Sequence, residues 1–264
     1  MENKTIELLR QVRKDAPLVH NITNFVVMNS SANILLAAGA SPVMAHSADE
    51  VAEMAGALVL NIGTLDRYWL DAMIRAGRAA NASGIPVVLD PVGAGATRFR
   101  NDAVDQILSA CWISVLRGNV SEVLSLASAG IKTRGVESSL GLSDAVVAEL
   151  KTIASAKNCI VAVSGKEDCI TDGRRVFRVA NGHEVMTRVT GTGCGLSAVS
   201  AAFCAVAGGR LLEAAVAAFA FYGRCAELAA RVSDKPGSFY TAFLDVLCSA
   251  GEAEITRGLK IREQ

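Results

Sequence analysis

The chain has 264 residues, 51% of them hydrophobic, enough to bury a sizeable core as one large domain or two small ones. Lysine plus arginine balance aspartate plus glutamate at 26 each, and no long basic block appears, which argues against nucleic acid or an anionic membrane as a partner. The opening MENKTIELLRQVRKDAP lacks the apolar core of a secretory signal and no apolar run reaches spanning length, so a cytoplasmic protein without a membrane segment is expected.

That opening stretch alternates charged and apolar residues at helical spacing. Beyond it, short apolar runs bounded by Gly, Pro or Asn (SPVMA, ALVLNIG, IPVVLDPVG, CWISVLRGN, NCIVAVSG) alternate with longer helical patterns. Alternation of this kind marks βα units feeding a mainly parallel sheet covered on both faces, and so predicts an α/β fold. Helical composition covers residues 66–82, 100–109 and 142–157, and the polar, glycine-bearing stretch 130–142 reads as a loop. In DCITDGRRVFRVANG two strand-like runs flank Asp172-Gly173, a hairpin signal that extends one sheet edge with antiparallel strands. From Cys194 onward the pattern is nearly all helical, over 199–207, 211–230 and from about 239. Without a repeat or linker, 1–264 is read as a single domain. Positive mean hydropathy without a membrane span predicts that some apolar surface is buried between subunits.

Seven cysteines, at 111, 159, 169, 194, 204, 225 and 248, form no CxxC pair and read as reduced thiols rather than a disulfide framework or zinc site. The histidines, His20, His46 and His183, show no ligand spacing, so a histidine-based metal site is not expected.

In open α/β sheets ligands gather at the carboxyl ends of the strands. The run ends here are polar and glycine-rich: Asn61-Ile62-Gly63-Thr64, Asp90-Pro91-Val92-Gly93-Ala94-Gly95, Arg117-Gly118-Asn119 and Ser164-Gly165-Lys166. The strongest signal is TGTGCGLSA at 190–198, a Gly-rich turn entering a helix. Such a turn leaves unpaired N–H groups and the positive end of the helix dipole at one spot, so Gly191, Thr192 and Gly193 are candidates for an anion hole, with Cys194 the first reactive side chain beside it. A close-packing turn and an inert core thiol fit the same residues.

Asp90, held extended before a proline, suits a divalent cation, as it suits a cap or turn. Glu122 could face the same ion, while its spacing from Asn119 also makes a capping box. Arg117 can clamp phosphate oxygens through paired hydrogen bonds or make a surface ion pair, and Ser164 offers a hydroxyl. A helix N-terminus lowers the pKa of Cys194 and a neighbouring polyphosphate raises it.

HNITNFVVMNSSANILLAAGASPVMAHSADEV, LVLNIGTL, VVLDPVGAGATRFR, LRGNVSEV, VAVSGKEDCITDG and GTGCGLSA, in this order and spacing, closely resemble the hydroxyethylthiazole kinases of thiamine salvage. The resemblance covers nearly the whole chain. It implies a ribokinase-like three-layer sandwich, with a mainly parallel central sheet and helices on both faces. It also implies ATP-dependent phosphorylation of the primary hydroxyl of 5-(2-hydroxyethyl)-4-methylthiazole, with Mg²⁺ as cofactor.

Carried over by motif, Asp90 and Glu122 belong to the metal site, Arg117 and Ser164 touch ATP, and Met44, Gly191 and Asn21 bind the thiazole. The family is homotrimeric with active sites at subunit interfaces, which would let residues of the NIT and NIG motifs serve a neighbouring protomer. Two departures are visible: the family often has threonine at Ser164, and sugar kinases of the fold carry aspartate as general base where this chain, like the thiazole kinases, has Cys194.

The expected chemistry is in-line attack of the alcohol on the γ-phosphate, with Cys194 at most a weak base. Alternatives are another small-alcohol kinase of the fold, such as a hydroxymethylpyrimidine or sugar kinase, and an ATP-dependent nicotinamide-hydrate dehydratase, for which GTGD is expected. A regulator without turnover predicts a damaged anion turn, and a thiol acyltransferase lacks an evident histidine partner for Cys194.

Overall fold

A computed structural model describes residues 1–48, 54–127 and 142–264. Most of the loop read at 130–142 therefore lies outside the described residues. Nine strands form one sheet: β1 (Leu18–Ile22), β2 (Ser41–Val43), β3 (Ala57–Asn61), β4 (Val87–Asp90), β5 (Val115–Asn119), β6 (Ile160–Ser164), β7 (Asp168–Thr171), β8 (Val176–Val179) and β9 (Ile261–Glu263). Their spatial order is β2-β1-β3-β4-β5-β6-β7-β8-β9. Every pairing from β2 to β6 is parallel, and β7, β8 and β9 continue the sheet antiparallel.

Two apolar layers sandwich this sheet because successive strand residues point to opposite faces. Val59, Val88 and Val115 face α1 (Glu2–Asp15), α2 (Met28–Ala38) and the long C-terminal helices. Leu58, Leu60, Leu89 and Leu116 face α3 (Arg67–Ala82), α4 (Arg98–Ala110) and α6 (Asp144–Lys157). Short α5 (Val120–Leu124) follows β5 directly. On the first face α7 (Thr192–Ala205), α8 (Leu211–Val232) and α9 (Pro236–Ser249) pack as a bundle, and α10 (Glu252–Thr256) precedes β9. The expected three-layer arrangement is present.

Helix starts follow local capping chemistry. Asp66 accepts the N–H of Trp69 at 2.8 Å, Thr97 that of Arg100 at 3.3 Å and Ser143 that of Val146 at 3.4 Å, so each helix begins one residue after a side-chain acceptor. The hairpin expected at Asp172-Gly173 joins β7 to β8, with Gly173 at φ 90°. The sequence reading assigned no helix to α2 or α10 and no strand to β9, whose three residues offer one apolar side chain. Among the described residues no helix is long and apolar enough to cross a membrane, and all seven cysteines are free thiols.

Candidate active site

The strand ends of β3, β4, β5 and β6 and the start of α7 converge on one side of the sheet. Gly191, the residue before α7, adopts φ 87°, a left-handed conformation that disfavours a Cβ, and a Cβ there would lie 2.8 Å from Ser30 Oγ. The helix has no side-chain cap, and its first internal hydrogen bond runs from Gly195 N–H to the Gly191 carbonyl at 2.8 Å. The N–H groups of Thr192, Gly193 and Cys194 make no hydrogen bond among the described residues and lie at the positive end of the helix, whereas the sequence pointed to Gly191, Thr192 and Gly193; Gly191 here supplies the carbonyl that accepts the first helical bond. Two contacts fix this turn: Tyr222 donates its hydroxyl proton to the Thr192 carbonyl at 2.8 Å, and Thr192 Oγ1 lies 3.1 and 3.2 Å from the carbonyls of Met186 and Val189.

Arg117 reaches the turn from β5: a Cβ on Gly193 would sit 3.2 Å from its Nη1. Nη2 donates to Ser164 Oγ at 2.7 Å, and Nη1 stands 3.7 Å from Asp90 Oδ2. Its buried Nε has no partner among the described residues, which suits an incoming anion. Asp90 is 1% exposed, and its side-chain hydrogen bonds converge on Oδ2, from Asn61 Nδ2 at 2.9 Å and Ser197 Oγ at 2.7 Å. Burial raises its pKa above the usual carboxylate range, opposed by the Arg117 charge and those hydrogen bonds.

Cys194 is half-buried and ringed by amides: Asn61 Nδ2 donates to Sγ at 3.2 Å and Asn24 Nδ2 at 3.7 Å. Burial, followed by the Asp90 charge, pushes the thiol up to about 11, against the two asparagines and Arg117. The depression expected from the helix N-terminus is outweighed, so at neutral pH Cys194 is a neutral thiol.

Glu122 makes the capping box with Asn119: Oε2 accepts Asn119 N–H at 2.9 Å and Asn119 Oδ1 accepts Glu122 N–H at 2.9 Å. Its Oε1 also accepts Gly93 N–H at 2.8 Å, which ties α5 to the loop after Asp90. Glu122 lies close enough to raise the pKa of Asp90 by charge repulsion. Two carboxylates with oxygen lone pairs to spare form a hard donor set, and no group of three possible ligands occurs among the described residues. Such a partial shell fits Mg²⁺, which keeps waters and phosphate oxygens as its other ligands.

A cavity of about 730 Å³ opens beside this cluster, within the usual range for small-molecule sites of about 300–1,000 Å³. Arg117, Ser164, Lys166, Asp168, Thr192 and Gly193 form its polar end, and Met186, Leu196 and Phe219 an apolar wall. Asp168 Oδ1 accepts Gly165 N–H at 3.0 Å, and burial pushes this carboxyl up to about 7.

Asp90, Arg117, Ser164, Thr192, Gly193 and Cys194 are therefore brought together. Met44 and Asn21 do not line the cavity: Met44 packs half-buried against one core layer, and Asn21 turns its amide back to the Val19 carbonyl at 2.9 Å. In HNITN it is Asn24, not Asn21, that reaches Cys194, and it reaches the Cys194 of its own chain. Asn24, Ser197, Asp168 and Tyr222 were not singled out from the sequence, and Asn61 was noted as a polar strand end and, in the NIG motif, as a residue serving a neighbouring protomer, whereas here it meets Asp90 and Cys194 of its own chain.

The hydroxyethylthiazole kinase family matches residues 9–252. This chain belongs to it. It is 52% identical to the hydroxyethylthiazole kinase of Desulfosudis oleivorans over 98% of this chain and 96% of the relative, and 49% identical to that of Desulfotalea psychrophila over 97% and 94%. A solved hydroxyethylthiazole kinase from Pyrococcus horikoshii superimposes with a TM-score of 0.89 at 45% identity, covering 98% of both chains. Staphylococcus aureus pyridoxal kinase, 16% identical with a TM-score of 0.58, shares the fold.

Proposed function

We propose that this chain, acting as one kinase domain over residues 1–264, transfers the γ-phosphoryl group of ATP to the primary hydroxyl of 5-(2-hydroxyethyl)-4-methylthiazole, in thiamine salvage. The observation that carries this reading is the meeting of the helix-start N–H groups and the Arg117 guanidinium at the polar end of one cavity, with the Cys194 sulfur on the next residue of the same turn. Family membership supports the choice of kinase and acceptor over the dehydratase and acyltransferase alternatives.

The cavity takes the nucleotide. Arg117, held by Ser164 and Asp90, meets its phosphates, and Ser164 acts on ATP through that guanidinium or directly through its hydroxyl. Thr192, Gly193 and Cys194 N–H groups hold the transferring phosphoryl, whose equatorial oxygens carry the charge of a loose transition state. Asp90 and Glu122 would hold Mg²⁺, which supplies charge neutralisation between the phosphates. The acceptor lies on the Cys194 side, with Met44, Gly191 and Asn21 as its further contacts. A neutral thiol there positions the alcohol; positioning and electrostatics supply most of the acceleration.

A homotrimer with interface active sites is part of this proposal. The exposed apolar side chains Phe25, Val26 and Leu36, at 64%, 65% and 59% accessibility, support a subunit contact beside the site. Seven free thiols support a cytoplasmic enzyme.

The test is purified protein with Mg-ATP and hydroxyethylmethylthiazole, hydroxymethylpyrimidine in parallel, and ADP and phosphorylated product followed by mass spectrometry. Thiazole-selective phosphorylation is expected. ADP release with neither alcohol phosphorylated would overturn the acceptor assignment in favour of a dehydratase.

A further inference from the structure

We propose that Asn61 is a positioning residue for phosphoryl transfer: its amide stands between the Asp90 carboxylate and the Cys194 sulfur and fixes where that sulfur faces the acceptor hydroxyl. This rests on the reading of Cys194 as the acceptor's neighbour.

The orientation of the amide is set by its surroundings. Gly63 N–H at 3.0 Å and Asn24 Nδ2 at 2.8 Å both require an acceptor, so they meet Oδ1. The Asp90 carboxylate requires a donor, so it meets Nδ2, at 2.9 Å, and the second Nδ2 proton is left for Cys194 Sγ at 3.2 Å. Asn61 is 1% exposed, so water does not compete for these bonds. Every polar position of the side chain is occupied, and a buried network in which every member is satisfied holds its partners in one arrangement.

Removing the amide acts unequally on its two neighbours. Asp90 keeps Ser197 Oγ at 2.7 Å and the Arg117 charge at 3.7 Å, and so stays anchored. Among the described residues Cys194 keeps only the longer bond from Asn24, at 3.7 Å. The thiol, no longer held by the Asn61 amide, can then turn its S–H toward the vacated side of Asp90, away from the acceptor. The loss therefore passes through Cys194 and not through nucleotide binding.

A double-mutant cycle tests this. Asn61→Leu replaces the amide with an uncharged apolar side chain of similar volume, and Asn61→Ala removes the whole amide. Melting temperatures identify the folded variants, and either one carries the test. Steady-state kinetics with Mg-ATP and the thiazole alcohol are measured for each, for Cys194→Ala and for the double variants. A displacement on the ångström scale predicts a fall in kcat of about tenfold to a hundredfold. The KM for ATP should stay within about twofold, and in the Cys194→Ala background the Asn61 change should cost less than about twofold more, the limit for independent sites.

Multiplying effects, a loss carried by the KM for ATP, or unchanged kcat in both Asn61 variants would each overturn the proposal. If Cys194→Ala alone leaves kcat intact, the reading of Cys194 itself fails, and an Asn61 effect that persists there belongs to Asp90.

Discussion

The protonation state of Cys194 can be read directly from its chemistry. Burial and the nearby Asp90 charge move this thiol from 9.0 to about 11, with the Asn61 and Asn24 amides and Arg117 opposing them. Each pKa unit changes the thiolate population tenfold, so Cys194 carries about a hundredfold less thiolate than an unperturbed cysteine at any pH below about 9. At pH 7 about one molecule in ten thousand is ionised. The assay is alkylation by iodoacetamide at pH values from 7 to 10, quenched and quantified on the Cys194 peptide by mass spectrometry, with exposed Cys248 as the internal marker of reagent activity. Burial also slows access of the reagent, so the slope with pH, and not the absolute rate, is the readout. The Cys194 rate should climb about tenfold per pH unit across the whole range. A rate that levels off by pH 8.5 would refute the neutral thiol and restore Cys194 as a thiolate base.

Cys194→Ser keeps a neutral hydrogen-bonding group and the helix-start N–H groups but holds it on a shorter bond, so the alcohol is displaced by a fraction of an ångström and kcat should fall by at most about a hundredfold. Cys194→Asp places a carboxylate where the Asn24 and Asn61 amides already donate, and kcat should match or exceed that of the native enzyme; a dead variant that still binds ATP would refute the weak-base account. Asp168→Asn should change the pH dependence of stability. A carboxyl raised from 3.8 to about 7 by burial stabilises the fold below its unfolded pKa, and that contribution is lost as pH rises toward 7, up to about 4 kcal/mol. The melting temperature of Asp168→Asn should therefore gain on the native enzyme between pH 4 and about 7, and parallel curves would refute the burial argument. Gly193→Ala keeps the N–H but puts a methyl 3.2 Å from Arg117 Nη1 inside the anion turn, so the guanidinium and the phosphoryl are pushed out of line and kcat/KM for ATP should fall about a hundredfold, with folding retained on the melting curve.

Legibility in the sequence tracked how local each signal is. Asp90, Arg117 and Ser164 stand where short apolar runs stop, and the α/β rule that ligands gather at strand ends applies to them without further information. The Asn119 and Glu122 capping box is a three-residue spacing and forms as expected. Gly191 to Cys194 were legible because a Gly-rich helix start implies open N–H groups whatever packs around it. The partners of Cys194 and Asp90 were not, because common polar residues meet them across distances no local pattern encodes: Asn24 lies 170 positions from Cys194, and Ser197 lies 107 from Asp90. Asp168 sits inside a run read as a β-strand, where alternation gave no reason to separate a cavity-lining carboxyl from a turn residue. The sign of the Cys194 shift was undecidable for the same cause, since the desolvating neighbours and Asp90 come from other strands.

A neutral thiol beside Asp90 is consistent with the charge the site must accept. With Asp90 close by and burial around it, a thiol at Cys194 stays protonated, whereas a carboxylate, whose intrinsic pKa is far lower, would stay ionised in the same place. Here the position keeps its hydrogen-bonding geometry through the Asn24 and Asn61 amides and gives up the charge. Because the transferring phosphoryl passes through a loose transition state, the acceptor hydroxyl needs little deprotonation before bond formation, so aiming it at the phosphorus matters more than basicity. The arrangement around Cys194 is built for aim: two amide donors fix the sulfur, a third contact fixes the carboxylate behind them, and the N–H of the same residue faces the anion site.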